Sequence, residues 1–224
     1  MYPGNPSRLT CPHCGKSKYI LSILSGNTCS GTFWSDTSSK YPMLPETSSI
    51  QKCNHCGHLF FFEDSHPVDA FVQNGSPSNA DIDKTKIWDE ARENEYGELS
   101  FEEANDAYDE MYNETLPNDR RMCILFTWLF AYNDKYAKKE SQQQEKPDAT
   151  IKERHEKIIR MIIDEQDDNI LFIAELYREL GEFDKSIEML NPLPPGSDFQ
   201  IESAKKILEH ARNHDSCVFI LADW

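Results

Sequence analysis

A chain of 224 residues with 38% hydrophobic and 11% aromatic side chains is long and apolar enough to bury a real core in one or two domains. Its net charge of −16 repels phosphate backbones and argues against a nucleic-acid-binding body. No apolar run approaches the ~20 residues that a membrane helix needs.

The first ten residues, Met1 to Thr10, are polar and Pro-rich and lack the apolar stretch of a signal peptide. Seven cysteines, an odd number without an export signal, fit a reducing compartment better than a disulfide framework. A cytoplasmic location is the expectation. The charge is unevenly spread. Residues 1–66 hold five basic and four acidic side chains, and the remainder carries 18 basic and 35 acidic ones.

In chain order, Cys11-Pro12-His13-Cys14-Gly15 opens the first third, and Lys18–Leu24 follows as a run of β-formers. Ser25-Gly26-Asn27 is a turn signal, after which Thr28–Asp36 is predicted to return as the second strand of a hairpin. Thr37–Ser49 is a loop by composition. Cys53-Asn54-His55-Cys56-Gly57 repeats the first motif, and His58–Phe62 reads as a third strand. Each Cys-x-x-Cys is a tight turn that brings two sulfurs together, with Gly15 or Gly57 placed where the backbone must swing to positive φ.

Four thiolates from Cys11, Cys14, Cys53 and Cys56 are the number and softness that a tetrahedral structural Zn²⁺ site requires. Such a site leaves no open position to activate water, so a catalytic metal is not expected. The competing reading is a pair of cysteine turns without metal. His13 and His55 are expected to face solvent, Cys29 to be a small core residue, and His58 and His66 to be the nearest substitutes for a cysteine ligand. Knuckle, hairpin, loop, knuckle, strand is the order of a zinc ribbon, and residues 1–66 resemble that family. The thirty-eight residues between the knuckles exceed the usual ribbon spacing.

Cys11-Pro12-His13-Cys14 also matches the active-site tetrapeptide of strongly oxidising thioredoxin-fold disulfide oxidoreductases. That chemistry needs a strand before the motif and a helix after it, whereas polar residues precede Cys11 and a β-rich run follows Cys14. Thiol–disulfide oxidoreduction is retained as a second alternative.

Residues 67–80 read as a connector. From residue 81 to 224 the period changes to about 3.6, as expected for helices. Ile87, Trp88, Ala91 and Tyr96 mark a first helix. Ser100 with Glu103 forms a capping box for a second, with Phe101, Ala104, Tyr108 and Met111 on its apolar face. Pro117 opens the most hydrophobic helix, carrying Met122, Cys123, Leu125, Phe126, Trp128, Leu129 and Phe130. Residues 140–148 form a loop, and Thr150–Asp164 is a fourth helix. Asn169–Leu180 and Phe183–Leu190 are separated by a turn at Gly181, and Phe199–Asn213 is the last helix. The carboxylate cluster Asp164–Asp168 lacks calcium-loop spacing and reads as a helix end. The apolar tail, 216–224, is predicted to dock back on the helices.

Ile170, Ile173, Ala174 and Tyr177, then Gly181, then Phe183, Ser186, Ile187 and Leu190 resemble a tetratricopeptide repeat, with Ser186 where that family usually has Ala. Weaker pairs are expected between 85–95 and 100–113, and between 119–138 and 150–164. Paired knuckles ahead of tetratricopeptide-like helices are similar to a bacterial family of uncharacterised function with that layout, a resemblance that implies architecture and no activity. The expected fold is α+β: a zinc ribbon at 1–66, a connector at 67–80 and an acidic helical domain at 81–224.

No Gly-rich phosphate loop, nucleophile elbow or His-Glu-x-x-His helix occurs, so the chain is expected not to be an enzyme. The function expected is a protein–protein interaction adaptor whose acidic helices take a protein or basic peptide. The first alternative is nucleic-acid association through Lys16, Lys18, Lys40 and Lys52 with Tyr19, Phe33 and Trp34. Five basic residues against four acidic ones make that a poor footprint.

Overall fold

A computed structural model of the chain describes residues 2–44, 47–73, 76–77, 83–94, 99–137, 147–165 and 169–223. Tyr96, residues 140–146 of the expected loop and 166–168 of the carboxylate cluster lie outside them.

The first strands are β1 (Tyr2–Pro3), β2 (Ser7–Thr10), β3 (Ser17–Ile20), β4 (Ile23–Ser25), β5 (Thr32–Trp34) and β6 (Ser39–Lys40). Then come β7 (Ile50–Lys52), β8 (Leu59–Phe61), β9 (Val68–Asp69), β10 (Val72–Gln73) and β11 (Ser76–Pro77). The helices are α1 (Lys84–Asn94), α2 (Phe101–Met111), α3 (Asn118–Tyr132), α4 (Ala149–Asp164), α5 (Ile170–Glu179), α6 (Phe183–Met189) and α7 (Asp198–Arg212). A π-helical turn, Asn133–Ala137, prolongs α3, and β12 (Ile220–Asp223) ends the chain. The fold is α+β.

Two compact units emerge, residues 1–29 with 41–113, and residues 30–40 with 114–224. Segment 30–40, which the sequence placed inside the 1–66 module, therefore belongs with the helices of the second unit. Helices α1 and α2, which the sequence placed in the 81–224 domain, belong with the cysteine module.

In the first unit β2 lies between β3 and β9, and β7 pairs with β8, all antiparallel. The expected hairpin of 18–24 with 28–36 does not form. Instead β3 pairs with β2 ahead of the first knuckle, in the register Arg8↔Tyr19 and Leu9↔Lys18. The physical reason is alternation: Leu9 is fully buried, so the polar-looking N-terminus supplies a real strand. β9 falls within 67–80, where composition indicated only a connector. Apolar faces explain the helices. Ile87 and Ala91 are the buried residues of α1, and Ala104 and Ala107 those of α2. These narrow faces pack on β3 and β8 respectively, in place of the helix-on-helix pair expected for 85–95 and 100–113.

In the second unit α3 packs on α4, and α5 on both α6 and α7. Ile124, Leu125, Trp128 and Leu129 are buried on α3, and Ala174, Leu190, Ala204, Ile207 and Leu208 form a cluster between α5 and α7. Small Ala174 and Ser186, both fully buried, allow α5 and α6 to approach across Gly181, whose φ is +73°. The tail docks as expected: β12 pairs with β5, and β5 with β6. Arg178 anchors it by donating from its guanidinium to the carbonyls of Asp215 and Cys217, the latter at 2.9 Å.

A candidate metal centre

Each knuckle is the turn of a hairpin, and the two turns are built alike. Cys11 N–H donates to the Lys16 carbonyl at 2.9 Å and Gly15 N–H to the Cys11 carbonyl at 2.9 Å. In the second turn Cys53 N–H donates to His58 and Gly57 N–H to Cys53, each at 2.9 Å. Gly15 and Gly57 sit at φ +70° and +74°, the left-handed conformation that their positions demanded.

The four sulfurs of Cys11, Cys14, Cys53 and Cys56 lie within 4.8 Å of one another. Across the turns, Cys11 Sγ is 3.8 Å from Cys56 Sγ and Cys14 Sγ is 3.7 Å from Cys53 Sγ. A disulfide would put the sulfurs at about 2.05 Å. A tetrahedral ion with Zn–S bonds of ~2.3 Å would put them about 3.8 Å apart along each edge. The arrangement thus has the dimensions of a tetrathiolate site that could hold a metal ion.

Electrostatics agree with that chemistry. Burial raises the pKa of the Cys53 thiol, but the N–H groups of Cys56 and His55 and the neighbouring thiols bring it to about 6. The N–H of His58 favours the Cys56 thiolate, yet burial and the sulfurs of Cys53, Cys14 and Cys11 push it up to about 12. Burial likewise raises Cys11. Four sulfurs in one place compete for negative charge, and a divalent cation at their centre removes the competition, because a coordinating thiol is deprotonated outright.

The surroundings brace the two turns against each other. Lys18, only 6% exposed, donates from Nζ to the carbonyl of Lys52 at 2.8 Å. Burial lowers the Lys18 pKa while the charges of Cys53 and Glu103 raise it. Helix α1 is tied in by Asn94, whose Nδ2 donates to the Tyr19 carbonyl and whose Oδ1 accepts from Asn54, both at 2.7 Å. Helix α2 is tied in by the Lys52–Glu103 ion pair at 2.9 Å. Lys18 is one of the residues named for the nucleic-acid alternative, and its buried place removes it from that surface. The signal for its buried place was the strand alternation, which puts Lys18 and Ile20 on one face.

The remaining candidates separate. His13 and His55 face solvent as expected, and His13 stacks on His58 with ring centroids 4.6 Å apart. Neither His58 nor His66 is part of the sulfur cluster. Cys29 is exposed in a turn, not a core residue, because the strand expected to carry it starts only at Thr32. The basic and aromatic residues considered for nucleic acid fall in both units. Lys18 is buried, Lys52 is paired with Glu103, and Lys40, Phe33 and Trp34 belong to the second unit. Cys14 leads into a strand, with no helix following it.

No family model, curated protein or solved structure matches the chain. Among the described residues no helix is long and apolar enough to cross a membrane.

Proposed function

We propose that the first unit is a zinc-ribbon-like module holding one structural Zn²⁺ on Cys11, Cys14, Cys53 and Cys56, and that the chain is a non-enzymatic adaptor. The observation that carries the metal reading is the cross-turn sulfur spacing of 3.7 and 3.8 Å. The ion supplies a cross-link between two hairpins, in addition to the apolar side chains they bury, Leu9 and Ile20 on one and Ile50, Leu59, Phe60 and Phe61 on the other. In modules of this kind metal binding contributes ~10 kcal/mol or more of apparent folding energy. Four thiolates fill the coordination sphere, so the ion serves as a brace.

The partner class follows from charge. Glu102, Asp106, Asp109 and Glu110 are exposed and share one face of α2 at helical spacing, and residues 67–224 hold about twice as many acidic as basic groups. A basic peptide or protein surface complements that face. The α5–α6 pair is read as a tetratricopeptide-like unit of the second module. Fluorescence polarisation against Lys/Arg-rich peptides at low and high salt tests the adaptor reading. Binding that weakens with salt is expected, and no salt-sensitive binding to any basic peptide would contradict it.

A further inference from the structure

Four buried polar side chains from four separate elements meet inside the second unit. Asp36 comes from the turn between β5 and β6, Asn133 from the π-helical turn, His155 from α4 and Glu179 from α5. Asp36 and Asn133 are fully buried, His155 is 1% exposed and Glu179 5%. A buried carboxylate against a buried imidazole is costly unless protons and donors are placed to satisfy both.

Hydrogen-bond directions fix where the protons go. His155 Nδ1 is 2.9 Å from the carbonyl oxygen of Ile151. A carbonyl can only accept, so Nδ1 carries a hydrogen. The other nitrogen, Nε2, lies 3.4 Å from Glu179 Oε2. With Nδ1–H fixed, a neutral ring would turn a lone pair toward an ionised carboxylate. One more proton, on Nε2 or on the carboxyl, turns that repulsion into a hydrogen bond. The rings of Trp128 and Tyr132 pack edge-on against the imidazole, with centroids at 5.5 and 6.1 Å, and hold its plane.

The surrounding charge resists losing that proton. Asn133 Nδ2 donates to Glu179 Oε2 at 3.3 Å and to Asp36 Oδ2 at 3.0 Å. Asp36 also accepts from the Ser38 amide and hydroxyl at 3.0 and 2.6 Å. On α5, Glu175 is forked by Arg178 at 2.8 and 2.5 Å. On α4, the Arg154 guanidinium lies over the Trp128 ring at 5.1 Å. From α3, the Tyr132 hydroxyl is pushed up to about 12 by burial, with the charges of Glu179, Asp148 and Tyr136 adding. Glu179 Oε1 and Asn133 Oδ1 meet no hydrogen-bond donor among the described residues. Burial, with Glu175 and Asp36 near, raises the Glu179 pKa, though His155 works the other way.

We propose that His155 and Glu179 together form a proton-binding site, in which one proton beyond that on Nδ1 is held between Nε2 and Oε2 and joins α4 to α5. Its sign follows from linkage. In the unfolded chain a histidine–glutamate pair has released this proton above about pH 6.5. Where the folded pair holds a proton that the unfolded chain has released, stability falls as pH rises.

The experiment is urea unfolding of the full, metal-loaded chain as a function of pH, beside Glu179→Gln, whose amide supplies the hydrogen permanently. Above about pH 6.5 the folding equilibrium constant of the wild type is expected to fall about tenfold per pH unit relative to the variant, the slope of one released proton. A wild-type-to-variant difference that stays constant with pH would overturn the proposal. If Glu179→Gln does not fold, ¹⁵N shifts of the wild-type His155 ring decide alone. Protonated Nδ1 throughout, with Nε2 or its carboxylate partner protonated at neutral pH, is expected. An unprotonated Nδ1, or a neutral ring facing an ionised carboxylate, would refute it.

Discussion

At the scale of residues, the sulfurs and the glycines beside them have separable roles. Cys53→Ser removes one of the four proposed ligands and is expected to abolish stoichiometric zinc, whereas Cys29→Ser, in an exposed turn, should leave one ion per chain by elemental analysis. Gly15→Ala and Gly57→Ala leave every ligand in place. A Cβ at either position meets nothing within 4 Å, so its cost is the left-handed backbone alone, about 1–2 kcal/mol. Chemical unfolding of the zinc-loaded protein measures it, and Gly57→Asn should lose less, since Asn tolerates that conformation. These residues were legible because a ligand pair and its glycine are neighbours in sequence. The alternation of β3 shows that Lys18 faces inward, but its acceptor, the Lys52 carbonyl 34 positions away, is not legible locally.

Among elements, caps and turns follow local rules. The Ser100 box forms with Glu103 N–H donating to Ser100 Oγ at 3.2 Å and Ser100 N–H to Glu103 Oε2 at 3.0 Å. Ser100→Ala is expected to cost about 1 kcal/mol in thermal unfolding. A second box, Ser197 with Gln200, starts α7 one residue before the predicted position. Helices were therefore readable nearly to their ends. Strand pairing was not. Ser25-Gly26-Asn27 signals a local hairpin, but the partner of β3 is decided by which residues bury Leu9 and Ile20, and β5 pairs with β6 and with the tail. Register of that kind is set by the fold and not by a turn motif. The tail also carries a pH dependence. Burial raises the pKa of Asp215, but the Cys217 amide, His210 and Arg178 hold it below the ordinary aspartate value. A depressed folded pKa gives stability that is present above about pH 3.9 and lost as pH falls through the folded value. Protection of the Phe219 amide, which donates to Ser35 Oγ at 3.1 Å, should drop in hydrogen exchange below that pH, and Asp215→Asn should weaken it at neutral pH.

For the whole molecule, the division into units was hidden because the chain leaves the first unit at residue 30 and returns at residue 41. Composition and charge change smoothly across those points. The acidic excess and the helical content were read correctly, but they do not show that α1 and α2 serve the cysteine module. Five of the seven described helices belong to the second unit, and among the described residues the sulfur cluster lies in the first. Chelation of zinc is therefore expected to melt the first unit and leave most helical circular dichroism in place. A single cooperative loss of all helix would contradict that separation.

The central claim is that two hairpin turns close on one zinc ion through four thiolates. Native mass spectrometry of the purified chain tests it most directly, because metal mass and displaced protons are read together. One zinc per chain, absent in Cys53→Ser, is the result expected. A metal-free chain, or one lighter by the hydrogens of a disulfide, would contradict it.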